Sequence, residues 1–370
     1  MKKVGIMSMQ RIINYGSFLQ AYGLKKVIEG LGYEVEFVDY QVEKTLISDK
    51  KRSKKERVLK KLQSAVKMFS PQYRRWRKKQ IRLNETYSDF ITAFQEEFFP
   101  MLGISNEPQY LLKTDVLVIG SDEVFNCTQM NDKVGYSKQL FGKGCKAEKI
   151  ISYAASFGNT TYEKLIKFGV DVEIGEMLSK FDAISVRDQN TYKIVNELTG
   201  IISNKNIDPV LLYSFPEVDE VKIEQKDYIV VYAYANRITE EEIKAIRIFA
   251  AEKKKKILSL GFYQPFCDEW VLASPLEVLA YIKNAEYVIT DTFHGTVYSI
   301  KYQKKFGTII RESNKEKISD VLNTFGLESR KITELDNLYN VVDAPIDKKK
   351  IFLMIQDEQD RSMKYLTYNL

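Results

Sequence analysis

The chain has 370 residues, of which 44% are hydrophobic and 29% charged, with only 8 prolines and 18 glycines. This composition excludes a disordered or fibrous chain, and the length exceeds what one hydrophobic core usually serves, so we expect two folded domains. The net charge of +6 is unevenly distributed: residues 50–82 contain 15 Lys or Arg and one acid, Glu56, which gives this segment +14 and the remainder −8.

Short β-rich segments alternate with segments of helical periodicity, a pattern typical of parallel sheets with helical crossovers. In the first part of the chain we predict strands at 3–7, 34–39, 115–119, 149–154 and 183–186, and helices at 17–31, 162–168, 174–180 and 189–198. A proline and several acids at 213–220 indicate a connector. Beyond it we predict strands at 228–234, 256–260 and 287–290, and helices at 239–252, 276–284 and 295–302. The sequence therefore predicts two successive α/β units.

The basic segment at 50–82 contains an amphipathic pattern, because apolar residues from Val58 to Phe69 recur on one helical stripe among lysines. Pro71 is predicted to end this helix. Three interpretations stay open: an insert docked on its own domain, a membrane-surface helix and a nucleic-acid patch. The last has the least support, since no nucleic-acid motif accompanies the cations and the remaining chain is acidic, so we expect no nucleic-acid partner.

The cysteine and histidine content narrows the chemistry. Cys127, Cys145 and Cys267 are distant from one another and odd in number, which favours a reducing cytoplasm. The single histidine, His294, excludes zinc sites built from histidine clusters, and we expect no metal. The apolar run after Met1 is too short for a signal peptide, and no stretch approaches the roughly 20 apolar residues of a membrane span.

Ligands of open α/β sheets bind beyond the carboxyl ends of the strands, and polar residues follow several predicted strands. After the first strand, Asn14 and Gly16 are able to adopt positive φ and expose backbone amides, although Ser17 with Gln20 also forms a capping box that would only start a helix. After the strand at 115–119, Asp122 is either a general base for a sugar hydroxyl or a cap of the next turn.

Two further strand ends carry a cation and the histidine. Arg187 offers a planar fork suited to carboxylate or phosphate, or else forms a surface ion pair with Asp188. His294 lies beside Gly295 at a predicted helix start and close to Asp291, where an anion and a proton donor are able to meet. A structural role for this histidine is the alternative. Ser274 begins a second capping-box pattern, which predicts a helix start and no chemistry.

Six motifs along the chain together resemble the polysaccharide pyruvyl transferase family, whose members move pyruvate from phosphoenolpyruvate onto a sugar as a ketal. The resemblance spans nearly the full chain, and it implies a GT-B-like α/β architecture of two Rossmann-like domains facing a cleft. It assigns 1–215 to the N-terminal domain with the basic insert, 216–345 to the C-terminal domain, and 346–370 to a helix that crosses back. The motifs are Asn14–Gln20, Val118–Asp122, Ile151–Gly158, Ile184–Asp188, Asp208–Leu212 and Ile289–Gly295.

The resemblance also implies roles for individual residues, with phosphoenolpyruvate as donor substrate and no cofactor. His294 is expected to be catalytic as an acid or to contact the phosphate, Asp122 to activate the hydroxyl, and Arg187 to bind the donor's anionic groups. Further donor-binding residues are expected at Asn14, Gly16, Ser17, Ser121, Thr292, Gly295, Thr296 and Arg311.

One position departs from the family pattern. Many members have an arginine two residues before the histidine, where this chain has Thr292. Another cation, such as Arg311 or Lys305, is then expected to compensate, since a charge-assisted hydrogen bond contributes roughly 1.5–3 kcal/mol. Otherwise the donor or the reaction differs.

These expectations leave three functional hypotheses. The first is a pyruvyl transferase of surface polysaccharide synthesis, in which the segment at 50–82 contacts the inner face of the cell membrane beside a lipid-linked acceptor, gaining about 1 kcal/mol per cation. The second is a GT-B glycosyltransferase that uses a nucleotide sugar. The third is a non-catalytic adaptor that binds membranes or polyanions through 50–82.

Overall fold

A computed structural model describes residues 2–47, 70–110, 112–129 and 134–370. It contains two six-stranded sheets, and every strand pair within them is parallel. The prediction of two Rossmann-like α/β domains is confirmed. The predicted amphipathic helix between Val58 and Phe69 lies outside the described residues.

The first sheet has the strand order β2-β1-β3-β4-β5-β6, and its central strands are apolar and buried. In the register, Val118 of β3 lies between Ile6 of β1 and Ile151 of β4, so three aliphatic side chains form one row. Its strands are β1 (Lys3–Met7), β2 (Glu34–Phe37), β3 (Thr114–Asp122), β4 (Ala147–Ala155), β5 (Ser185–Val186) and β6 (Asn204–Lys205). The helices up to the connector are α1 (Tyr15–Gly30), α2 (Pro71–Ala93), α3 (Phe99–Leu102), α4 (Tyr162–Phe168), α5 (Asp171–Leu178), α6 (Gln189–Thr199) and α7 (Pro209–Leu212).

The second sheet has the order β12-β11-β10-β7-β8-β9, with β7 and β10 completely buried at its centre. Its strands are β7 (Tyr228–Tyr232), β8 (Lys256–Leu260), β9 (Glu269–Val271), β10 (Tyr287–Thr290), β11 (Lys305–Ile309) and β12 (Lys331–Ile332). Its helices are α8 (Glu240–Lys253), α9 (Pro275–Asn284), α10 (Phe293–Lys301), α11 (Lys315–Thr324) and α12 (Leu338–Asp343), and α13 (Lys348–Asn369) follows. The capping box predicted at Ser274 is confirmed at the start of α9.

One predicted helix start is wrong. Helix α1 begins at Tyr15 because Asn14 is its cap, with Asn14 Oδ1 accepting from Gly16 N at 2.7 Å, so Ser17 is not the capping residue. Pro71 begins helix α2, where proline at a first helical position forgoes no intrahelical hydrogen bond, and the helix predicted to end there lies outside the described residues.

Helix α2 continues through a π-helical turn (Phe94–Phe98) into α3, and aromatic side chains hold it on the first domain. Phe94 is completely buried, and its ring packs edge-on against Phe18 of α1 with centroids 5.6 Å apart. The chain that follows α2 is therefore anchored beside the start of α1.

The last helix, α13, returns to the first domain. The Tyr365 hydroxyl donates to the Ser152 carbonyl at 2.8 Å, and Gln359 Nε2 donates to the Leu211 carbonyl at 2.6 Å. One continuous hydrophobic cluster also includes residues of both domains, such as Phe18 and Val297. These contacts hold the carboxyl ends of the two sheets in fixed relation across the cleft.

Candidate functional site

Residues from the ends of several strands meet between the two sheets. Arg187 Nη1 lies 2.8 Å from Asp208 Oδ2, and Arg187 Nη2 lies 3.7 Å from Asp122 Oδ1. His294 Nε2 lies 3.7 Å from the same Asp208 oxygen. We call this group the charged cluster, and it consists of Asp122, Arg187, Asp208, His294 and Lys317. Three of its five members were predicted site residues.

Arg187 occupies the centre of the charged cluster. It is only 7% exposed, and its guanidinium carbon lies 4.3 Å from the centroid of the Phe293 ring. Among the described residues, none accepts a hydrogen bond from Arg187 Nε or Nη2. The alternative of a surface ion pair with Asp188 is wrong, because Asp188 caps α6 by accepting from Thr191 N at 2.8 Å. Two buried donors thus stay available for a ligand.

His294 is the second residue of α10, and Thr292 caps that helix by accepting from Gly295 N at 2.9 Å. The imidazole packs on α1 so closely that a Cβ atom at Gly16 would overlap with His294 Nδ1. Burial lowers the pKa of His294 and outweighs the opposing effect of Asp208 and Asp122. The ring is therefore neutral at pH 7, and none of the described side chains bonds to its buried Nε2.

Asp122 ends β3 with φ of 76°, which turns its carboxylate toward α1, where Ser17 Oγ donates to Oδ2 at 2.8 Å. Burial by itself would raise the pKa of Asp122, but His294, Arg187 and the Ser17 hydrogen bond together lower that pKa below its usual value. The carboxylate is therefore ionised at neutral pH.

Sequence reasoning missed two members of the charged cluster. Lys317, in the first turn of α11, pairs with Glu123, and its Nζ lies 5.8 Å from the Phe293 ring centroid. Burial would lower the pKa of Lys317, but Glu123 outweighs burial and raises it, so the amine is charged. Asp208 is buried and caps α7. No motif marks Lys317, because a lysine in a polar first turn is typical of a solvent-facing helix.

A polar cavity of about 240 Å³ opens on the Arg187 side of the charged cluster, between β5 and β6, helix α11 and the last helix. Arg187 and Lys317 both line it, and Phe293 forms the wall that both cations contact. Its other charged residues are Asp188, Lys205, Asp208, Asp320, Glu358 and Arg361.

A second depression is lined by His294, and we call it the aromatic cleft. At its polar end Asn14 Nδ2 lies 3.4 Å from the Tyr234 hydroxyl, with Thr292 and His294 adjacent. Aromatic rings form its walls, contributed by Tyr15, Tyr87, Phe90, Phe94, Tyr232, Tyr234 and Phe262.

Other predicted donor-binding side chains have partners within the protein. Arg311 gives both Nη atoms to Glu242, each at 2.7 Å, and the Lys305 Nζ lies 3.0 Å from Asp343. Ser121 Oγ donates to the Ala154 carbonyl at 3.0 Å, and Thr296 Oγ1 donates to the Thr292 carbonyl at 2.9 Å. Gly295 packs against Thr290, where a Cβ atom would overlap with Oγ1. These residues build the turns that hold the site, and their contact with a donor stays a prediction.

Within the described ranges, no three His, Cys, Asp or Glu side chains are grouped so that they could hold a metal ion. In the same part of the chain no helix is both long and apolar enough to cross a membrane.

The two parallel sheets, with charged strand ends between them, form a two-domain α/β fold of the GT-B type. The chain belongs to the polysaccharide pyruvyl transferase family, whose model matches residues 14–313. The family identification drawn from the six motifs is thereby confirmed. The family implies a sugar acceptor. No curated protein matches the chain in sequence.

Several solved structures share the fold. The MnaA protein of S. aureus in complex with UDP aligns with a TM-score of 0.51 and 13% identity, over 99% of this chain and 95% of that one. The UDP-GlcNAc 2-epimerase of Methanocaldococcus jannaschii, in complex with UDP-GlcNAc and UDP, aligns with a TM-score of 0.50 and 10% identity over 99% of each chain. The epimerase of Neisseria meningitidis bound to UDP-GlcNAc has a TM-score of 0.50 and 8% identity, over 100% of this chain and 99% of that one. At these identities the likeness concerns the fold alone.

Proposed function

We propose that the protein transfers pyruvate from phosphoenolpyruvate to a sugar of a glycan precursor and forms a pyruvyl ketal, in the synthesis of a surface polysaccharide such as a capsule or exopolysaccharide. The observation that carries this proposal is the charged cluster, where Arg187 and His294 hold three buried nitrogen atoms without hydrogen-bond partners among the described residues. Buried polar groups are nearly always satisfied, so unsatisfied donors around a cavity favour a ligand rich in acceptors.

The donor carries a carboxylate and a phosphate, and two cations of the charged cluster suit them. Arg187 offers Nε and Nη2, and Lys317 lines the same cavity. The family's arginine is expected to contact the phosphate, and we assign this contact to Lys317. Arg311 and Lys305, which the sequence also suggested, are paired with Glu242 and Asp343.

The chemistry follows from protonating the donor's methylene carbon, with His294 as the acid. The ring is neutral in the free protein, and the bound anionic donor favours its protonated form. The neighbouring carbon becomes oxocarbenium-like, and a first sugar hydroxyl attacks it while its proton passes to Asp122. The bond to phosphate then breaks and phosphate leaves with the electron pair. A second hydroxyl of the same sugar closes the ketal, and its proton passes to the His294 imidazole, which regenerates the acid. A carboxylate of low pKa such as Asp122 takes the hydroxyl proton only as the new bond forms, which suits a cationic carbon.

The test is release of inorganic phosphate from phosphoenolpyruvate in the presence of methyl glycosides of glucose, galactose, mannose, N-acetylglucosamine and N-acetylmannosamine. We expect release with at least one sugar, none without sugar, and a rise in Tm with phosphoenolpyruvate alone. If no sugar supports release and the donor leaves the Tm unchanged, the proposal is wrong.

A glycosyltransferase that uses a nucleotide sugar is the second candidate. Thr292, in place of the family's arginine, favours it, and so does the fold shared with proteins whose structures contain UDP or UDP-GlcNAc. This candidate predicts release of a nucleoside diphosphate, and a larger Tm rise with UDP-GlcNAc than with phosphoenolpyruvate.

We further propose that the acceptor is lipid-linked and that the basic segment at 50–82 binds the inner face of the cell membrane. The support is its charge of +14 in a chain whose remainder is −8. Changing Lys50, Lys51, Lys54 and Lys55 to Gln is expected to weaken binding to vesicles with phosphatidylserine by about 10²-fold or more, given about 1 kcal/mol per cation. The control changes exposed Lys348, Lys349 and Lys350 to Gln, and equal losses in both variants would contradict the proposal.

A further inference from the structure

The aromatic cleft is built by both domains and partly left open. Tyr87 and Phe90 come from α2 of the first domain, and Phe262 follows β8 of the second. The Tyr87 and Phe262 rings lie nearly parallel, at 29° with centroids 6.1 Å apart, and Phe262 lies 5.5 Å from Tyr234. Two separate parts of the chain therefore bring flat apolar surfaces to the border of His294.

These rings differ from those of the hydrophobic core. Phe94 and Tyr15, deeper in the same wall, are at most 5% exposed, whereas Tyr87, Phe90 and Phe262 are only half-buried. Aromatic rings left accessible in a concave site beside polar groups are typical of ligand sites.

The charge of the aromatic cleft selects the class of ligand. Its lining includes no Lys, Arg, Asp or Glu among the described residues. Burial lowers the pKa of His294, so this ring is neutral in the free protein. One cation, Arg237, lies 5.2 Å from the centroid of the Tyr234 ring, but it does not line the aromatic cleft and its Nε lies 3.7 Å from Asp291. Arg187 and Lys317 line the polar cavity instead. The uncharged lining of the aromatic cleft therefore fits a neutral ligand, whereas an anion would contact Arg187 and Lys317 in the polar cavity, which four acids also line.

We infer that the aromatic cleft is the acceptor subsite and holds one neutral pyranose ring. The apolar C–H face of the sugar stacks on Tyr87, Phe90 and Phe262, and its hydroxyl edge points to Asn14 and His294. This inference rests on the proposed function and assigns acceptor selection to α2, the helix whose first part belongs to the basic segment.

The experiment is saturation-transfer NMR on the whole protein with the methyl hexopyranosides named above, and with uridine. We expect at least one glycoside to receive saturation, most strongly at its ring C–H protons. Tyr87→Ala and Phe262→Ala should each reduce that signal at least 10-fold, and Phe262→Trp should restore it. Both sites are half-buried, so the variants are expected to fold, and Tyr368→Ala, at a residue 87% exposed on the last helix, is the matched control.

The inference is overturned if no glycoside binds the unaltered protein, if binding survives both alanine variants, or if uridine takes the cleft in place of the sugars. Donor binding is measured separately as the Tm rise with phosphoenolpyruvate. A protein that binds phosphoenolpyruvate but no glycoside contradicts the acceptor subsite alone. A protein that binds a glycoside in the cleft but no phosphoenolpyruvate contradicts the proposed function and leaves the subsite standing.

Discussion

The charged cluster and the aromatic cleft share His294 but are built in opposite ways. The charged cluster collects side chains from strand ends, and its ionised groups Asp122 and Arg187 are buried and mutually paired. The aromatic cleft uses half-buried rings from a helix and a loop of different domains. The comparison teaches that charged side chains line the first site and, among the described residues, no Lys, Arg, Asp or Glu lines the second, which agrees with the proposed separation of an anionic donor from a neutral acceptor.

Removing His294, which both sites share, should have the largest effect on turnover. We expect His294→Ala to lower turnover by about 10²- to 10⁴-fold if the imidazole is the acid, because general acid catalysis contributes factors of this size. Phosphate release at saturating donor and sugar measures it, and the Tm rise with phosphoenolpyruvate should persist. Turnover close to that of the unaltered protein would make His294 structural.

Displacing the His294 ring without removing it tests whether its position between the two sites matters. Gly16→Ala should lower turnover by about 10²-fold, since the new methyl group overlaps with His294 Nδ1 and pushes the ring from the border between donor and acceptor. Gly30→Ala, at the other end of α1, adds a methyl group with nothing within 4 Å and should leave turnover unchanged. Equal turnover in both variants would contradict the assigned position of the ring.

Donor binding at the charged cluster can be weakened without changing the aromatic cleft. Lys317→Met should raise the KM for phosphoenolpyruvate about 10- to 100-fold, because one charge-assisted contact is lost, and should leave the affinity for sugar unchanged. Lys315→Met, at an exposed lysine of the same helix, is the control. If Lys317 served only to pair with Glu123, the double variant E123Q/K317M would bind the donor normally, and we expect it to stay weak.

The pH profile tests the protonation of His294, and its expected effect is the smallest. Burial lowers the pKa of His294 below its usual value of 6.5, so the acid form of the free enzyme is lost as pH rises through that lowered pKa. We expect kcat/KM to fall about tenfold per pH unit above it, whereas kcat should fall only at higher pH, because the bound anionic donor favours the protonated ring. Coinciding limbs for kcat and kcat/KM would show that the donor does not lie near His294.

The sequence identified residues of the charged cluster better than those of the aromatic cleft. The strand-end residues Asp122, Arg187 and His294 were predictable because parallel strands end at one edge of a sheet, and local patterns of glycine and polar residues mark those ends. The helix cap at Asn14 was misassigned to Ser17, since Ser17 and Gln20 match a capping box while Ser17 actually donates to Asp122 across 105 residues of sequence.

The sequence alone therefore determined the two α/β domains, the family and the corner that carries His294, because hydrophobic periodicity and short motifs are local signals. Only the tertiary structure decided which groups accompany that histidine. Lys317 joins Arg187 from a helix of the other domain, and Tyr87 meets Phe262 across the cleft. Contacts of this kind depend on how the two sheets are oriented by the packing between domains, and no local pattern of residues encodes that orientation.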